Sequence, residues 1–113
     1  MGSILVADDN EGFCDLLRAT LEDAGYHVLT ASSGLAAIAS LEHHDVDVAV
    51  LDVLMPGISG DAVAQRLLQL QPRLSVLLMT ASDEGFATGT GLPVLHKPFP
   101  QEALLAAVRR LAP

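Results

Sequence analysis

Two hydrophobic rhythms alternate along the chain. The runs Ile4-Leu5-Val6-Ala7, Val48-Ala49-Val50-Leu51 and Val76-Leu77-Leu78-Met79 are apolar without interruption. Runs of that length and continuity read as parallel strands buried on both faces. His27–Ala31 and Val94–His96 read as two further strands. Between these runs the spacing changes to a helical one. Phe13, Leu16, Leu17, Leu21 and Ala24 follow the helical period, and Gly25 is a natural stop. Ile38 and Leu41, with small Ala36, Ala37 and Ala39, make a short second helix ending near His43. Val63, Leu67 and Leu70 make a third helix that Pro72 brings to an end. Pro100 stands near the first turn of a last helix, whose core face is Leu104, Val108 and Leu111.

Strands that alternate with helices in this way predict an α/β fold, with right-handed crossovers and helices on both faces of a parallel sheet. For five strands the common doubly wound order is 2-1-3-4-5, with the first and third strands adjacent at the switch point. The residues that close the strands then share one edge, where such folds bind ligands. Asp8 and Asp9 close the first strand, Asp52 the third, Thr80 the fourth, and Lys97 follows the fifth. Three carboxylates, a hydroxyl and an ammonium at one edge suit a divalent cation and phosphoryl chemistry. Taken singly, each has a bland account: Asp9 or Asn10 as a helix cap, Asp52 on loop amides, Thr80 as a strand end, Lys97 as surface charge. A helix cap has no use for three carboxylates with a lysine opposite.

Composition narrows the field. At 113 residues the chain reads as one domain, residues 1–113. No apolar stretch approaches the ~20 residues of a membrane span. The N-terminus shows no basic segment or signal-peptide core, which predicts a cytoplasmic protein with no membrane insertion. The net charge is −8 and the six basic residues are scattered, so no face suits direct nucleic-acid binding. Cys14 is the only cysteine and falls beside Phe13 and Leu17, a packing position. His43, His44, Asp45 and Asp47 cluster at the edge opposite Asp52, where histidine suits a helix C-terminus better than a metal. Arg109 and Arg110 suit a helix C-terminus in the same way.

Four segments carry a family resemblance: Val6-Ala7-Asp8-Asp9-Asn10, Leu51 through Gly60, Met79-Thr80-Ala81 and Lys97-Pro98-Phe99. In that order, each at a strand's end, they resemble the receiver domain of two-component response regulators, a flavodoxin-like fold, over essentially the whole chain. The resemblance implies a phosphorylation-dependent switch, and stoichiometric chemistry rather than enzymatic turnover; the length of the chain predicts no output domain beside it. Asp52 would accept a phosphoryl group from a phosphohistidine donor with Mg²⁺ assistance. Asp9 and Asp52 would hold the Mg²⁺ directly, Asp8 through a water, and the Leu54 carbonyl as a further ligand. Thr80, Lys97 and the Ala81 amide would meet the phosphoryl oxygens. The Lys97–Pro98 bond is cis in the family. The implied partners are a histidine kinase or histidine phosphotransfer domain, docking near the first helix and the Lys97–Phe99 loop, and a downstream protein target.

The chain departs from the family pattern in three places. Sixteen residues separate Thr80 from Lys97, including Gly85, Gly89, Gly91 and Pro93, which predicts a shortened version of the family's fourth helix. The loop Ser82–Leu92, with Phe86, is then the candidate mobile element. Val94 stands where the family often has an aromatic switch residue. Leu54, two residues after Asp52, cannot orient a hydrolytic water, which predicts slow self-dephosphorylation. The short fourth region followed by Leu92–Phe99 is similar to receivers at the C-terminal end of hybrid histidine kinases. Two other readings compete. A pseudo-receiver would bind partners without phosphorylation. A small Mg²⁺-dependent phosphohydrolase would want a second acid where Leu54 stands. A flavodoxin is excluded because the acidic Asp8–Glu11 loop repels the phosphate it would have to cradle.

Overall fold

A computed structural model describes residues 2–55, 57–81 and 91–112. Five strands, β1 (Ser3–Ala7), β2 (His27–Ala31), β3 (Val48–Asp52), β4 (Ser75–Thr80) and β5 (Val94–His96), form one parallel sheet in the order β2-β1-β3-β4-β5. Helices α1 (Glu11–Asp23), α2 (Gly34–His43), α3 (Gly60–Leu70) and α4 (Gln101–Leu111) connect and cover them. The doubly wound order expected from the sequence is the one observed. The shortened fourth helix of the family and the Ser82–Leu92 loop fall largely on residues 82–90, outside the described residues.

Strand side chains alternate between faces, so each apolar run feeds two cores. Ile4, Val6, Val48, Val50, Leu77 and Met79 pack against Cys14, Leu17 and Leu21 of α1 and Leu104, Ala107 and Val108 of α4. Leu5, Ala49, Leu51, Val76 and Leu78 pack against Ala37 and Leu41 of α2 and Val63, Ala64 and Leu67 of α3. The uninterrupted runs are thus explained: each position meets a helix on one side or the other. Burying a side chain of this size stabilises the fold by about 1.5–3 kcal/mol.

Local chemistry sets where the helices start and stop. The Asn10 side chain accepts from the Phe13 amide at 3.0 Å, Ser33 from Ala36 at 3.1 Å and Ser59 from Ala62 at 3.3 Å. Pro100, placed by the sequence near the first turn of the last helix, is its cap residue and makes no side-chain cap bond. Gly25 takes φ +100° just beyond α1, a conformation that other residues adopt at a cost. Gly60 opens α3 tightly against β3. A Cβ there would lie 2.6 Å from the Val53 Cα and 2.9 Å from the Asp52 carbonyl oxygen. That close approach fixes the β3–α3 turn against the strand end that carries Asp52.

Candidate functional site

Asp8 and Asp9 follow β1, Asp52 and Thr80 are the last residues of β3 and β4, and Lys97 follows β5. Because β1 and β3 are neighbours in register, with Ala7 opposite Leu51, their acidic ends stand side by side. Asp8, Asp52 and Thr80 are buried, at 1%, 7% and 1% exposure, whereas Asp9 is exposed. Buried charges of this kind persist only when paired.

The two buried carboxylates are held by the same device. Asp8 Oδ1 accepts from the Asn10 amide at 2.9 Å, and Asp52 Oδ1 accepts from the Leu54 amide at 3.3 Å. Each therefore ties one oxygen to the backbone two residues on. Their other oxygens share one ammonium. Lys97 Nζ lies 2.7 Å from Asp8 Oδ2 and 3.4 Å from Asp52 Oδ2. The lysine backbone is held as well, its amide donating to the Thr80 carbonyl at 2.7 Å. The Lys97–Pro98 bond is cis.

The electrostatics are unbalanced. Burial and the neighbouring Asp8 charge push the Asp52 carboxyl above its usual range, against the lowering influence of Lys97 and the Leu54 amide. Burial alone would lower the Lys97 ammonium, but the hydrogen bond to Asp8 and the charges of Asp52 and Asp8 prevail and raise it. Burial and Asp8 also raise the Cys14 thiol, which donates to the Asp8 carbonyl at 3.3 Å. Cys14 is thus a buried, protonated packing residue that props the β1 end.

Asp8, Asp9 and Asp52 each offer an oxygen within 4.8 Å of the others. Of these three carboxylates, Asp8 and Asp52 share the one ammonium, which leaves the cluster with excess negative charge. All-oxygen donors with excess negative charge fit a hard divalent cation. Leu54 is 58% exposed at the rim, and Ala81 is an exposed residue directly after Thr80. Of the bland readings, the cap belongs to Asn10, the α1 N-cap, while Asp52 does accept from a loop amide and Thr80 does end β4. Asp47, part of the acidic-histidine cluster, accepts from the Ser3 amide at 2.8 Å at the far edge of the sheet.

Sequence periodicity gave Phe13 only a place on the helical face. Its ring in fact lies under the Lys97 ammonium, with the centroid 4.5 Å from Nζ. No local pattern announces that contact, because it joins α1 to the segment after β5. Gln71 is the second residue missed. Its side chain donates to the Leu41 and His44 carbonyls and accepts from the Val46 amide. The only signal for it was a polar residue at the end of an amphipathic helix.

Comparison with known proteins agrees with this geometry. Residues 4–109 match the family model of the response regulator receiver domain. The alkaline phosphatase synthesis transcriptional regulatory protein PhoP of Bacillus subtilis is 37% identical over 96% of the chain, which spans 47% of that relative. The chain therefore covers about half the length of the curated relatives it matches. The response regulator TrrA of Thermotoga maritima, solved in complex with Mg²⁺–BeF, superposes with a TM-score of 0.88 at 30% identity, covering 98% of this chain and 99% of that one. The receiver domain of the hybrid histidine kinase CckA superposes with a TM-score of 0.86 at 26% identity, covering 97% and 98%. By its matched residues, its sheet order and the acidic edge of that sheet, this chain belongs to the response regulator receiver domain family.

Proposed function

We propose that Asp52 is the phosphoacceptor of a signalling switch and that a phosphohistidine protein, either a histidine kinase or a histidine phosphotransfer domain, is its donor. The observation that carries this reading is the Asp52 carboxylate at the end of the central strand, bracketed by Asp8, Asp9 and the Lys97 ammonium. An Asp52 oxygen attacks phosphorus. The O–P bond forms as the P–N bond breaks, and the imidazole leaves with the electron pair and takes a proton from solvent. Phosphoryl transfer asks the protein mainly for positioning and charge neutralisation. The Leu54 amide and the Lys97 ammonium orient the nucleophile, and its slight exposure leaves it open to a docked donor. Asp9, Asp52, the Leu54 carbonyl and, through water, Asp8 would hold Mg²⁺. Bound there, Mg²⁺ supplies the positive charge that the three carboxylates and the transferring oxygens need.

Lys97, the Thr80 hydroxyl and the Ala81 amide then grip the phosphoryl oxygens. That grip reshapes the β4 end and changes which partner the domain binds. We read residues 1–113 as a single receiver domain acting in the cytoplasm. Its output passes by protein contact, because its net charge of −8 disfavours nucleic acid. Among the described residues, no helix is long and apolar enough to cross a membrane. Self-dephosphorylation is the only turnover in this reading, and an apolar Leu54 makes it slow.

Intact mass after incubation with Mg²⁺ and acetyl phosphate, with Asp52→Asn in parallel, tests the proposal. A single Mg²⁺-dependent phosphoryl adduct, absent from the variant, is expected. No adduct from acetyl phosphate or from a competent phosphohistidine donor makes the chain a pseudo-receiver. Steady turnover of a phosphate ester makes it a phosphohydrolase.

A further inference from the structure

Lys97 is the only lysine of the chain, and its ammonium has contacts of two kinds. Asp8 and Asp52 draw it by charge, at 2.7 and 3.4 Å. The Phe13 ring offers its face, with the centroid 4.5 Å away, and the negative face of an aromatic ring attracts a cation. Phe13 is itself braced. The Phe99 ring meets it at 70° with centroids 6.0 Å apart, an edge-to-face pair. Because Phe99 stands two residues after Lys97, the ring pair ties α1 to the turn that carries the lysine.

We propose that Phe13 is a positioning residue, whose ring holds the Lys97 ammonium where it reaches both Asp8 and the Asp52 oxygen, and so sets the rate at which Asp52 takes a phosphoryl group. The inference rests on reading Asp52 as the phosphoacceptor. A lysine side chain has several rotatable bonds and about 2 kcal/mol of rotamer entropy to lose on being fixed. Its ionic partners change during the reaction: the Asp52 carboxylate becomes an acyl phosphate, and the ammonium passes from carboxylate to phosphoryl oxygens. The Phe13 ring keeps the same electrostatics before, during and after transfer. It also covers one side of the ammonium, and the lysine side chain is 22% exposed.

A sole lysine makes the test direct. Lysine labelled with ¹³C and ¹⁵N gives one side-chain spin system, which the Phe13 ring current displaces in the wild type. Phe13→Leu keeps an apolar side chain and removes the ring; Phe13→Tyr keeps the ring. The Lys97 signals are to be recorded without metal. Transfer from acetyl phosphate is then timed with Mg²⁺ present: the Asp52 O–P bond forms and the P–O bond to acetate breaks, acetate leaving with the electron pair. Phe13→Leu is expected to abolish the ring-current displacement and slow transfer about 3- to 10-fold, and Phe13→Tyr to stay within about twofold on both readouts. Thermal midpoints confirm that the variants fold. Wild-type transfer in Phe13→Leu, an unmoved Lys97 signal, or a Phe13→Tyr variant as slow as Phe13→Leu overturns the proposal. If the wild type itself takes no phosphoryl group, the phosphoacceptor reading falls, and with it the rate role of Phe13. The lysine signals then still decide whether the ring holds the ammonium.

Discussion

At the amino edge of the sheet, the Gln71 side chain satisfies the Leu41 and His44 carbonyls and the Val46 amide, and Asp47 accepts from the Ser3 amide. At the carboxyl edge, Asp8, Asp9 and Asp52 bring oxygens within 4.8 Å of one another, and one ammonium pairs with Asp8 and Asp52. The first edge spends its polar groups on closing the termini of α2 and α3 and the entry to β3. The second gathers like charges that burial makes unfavourable. Stability and chemistry are thus placed at opposite ends of the same strands, and the apolar runs between them hold both in register. Proteins often tolerate such local conflict at a working site because the surrounding structure determines it.

The contrast is sharpest for Asp52→Asn. The variant is expected to take up no phosphoryl group, as read by intact mass. Because folding disfavours the Asp52 charge, it is also expected to melt about 2–5 °C higher than the wild type. A lower midpoint would mean that the Lys97 pairing outweighs the repulsion. Gln71→Ala should do the reverse: about 2–3 kcal/mol less stable by urea denaturation, since backbone groups lose their partners, with transfer to Asp52 unchanged. Slower transfer in that variant would mean that the two edges are coupled. Gly60→Ala joins the ends of the comparison, because its Cβ must displace the β3 backbone beside Asp52. About 1–2 kcal/mol of stability and a measurable part of the transfer rate should be lost together. Leu54→Ala is the mildest: the phosphoryl lifetime on Asp52 should shorten about two- to fivefold as water gains access, with no change in the melting midpoint. An unchanged lifetime would remove Leu54 from the account of slow self-dephosphorylation.

Much of this arrangement was legible in the sequence, for physical reasons. Continuous apolarity over Val48–Leu51, in a run too short for a helix, fits a strand covered on both faces, and helices on both sides of the sheet do cover it. The polar residues that end such strands are brought together by topology, so Asp8, Asp9, Asp52, Thr80 and Lys97 could be assembled without coordinates. Partner choice within the site could not. Lys97 was read as a ligand of phosphoryl oxygens, and that reading did not say that without a phosphoryl group it bonds Asp8 more closely than Asp52. Which carboxylate a flexible lysine meets depends on distances of tenths of an ångström. Phe13 was hidden for a related reason: its helical spacing accounts for its apolar character and is silent about the cation across the crevice. Gln71 was hidden because its three partners come from the end of α2 and the entry to β3, which no local pattern joins to the end of α3.

The bond from the Lys97 amide to the Thr80 carbonyl, 2.7 Å long, has a mechanical consequence. It ties the last residue of β4 to the residue that follows β5. If phosphorylation draws Thr80 and Lys97 inward, as proposed, this bond couples the two movements through the backbone. The deuterium uptake of a single amide, that of Lys97, is the gauge of whether that coupling holds when the site is loaded.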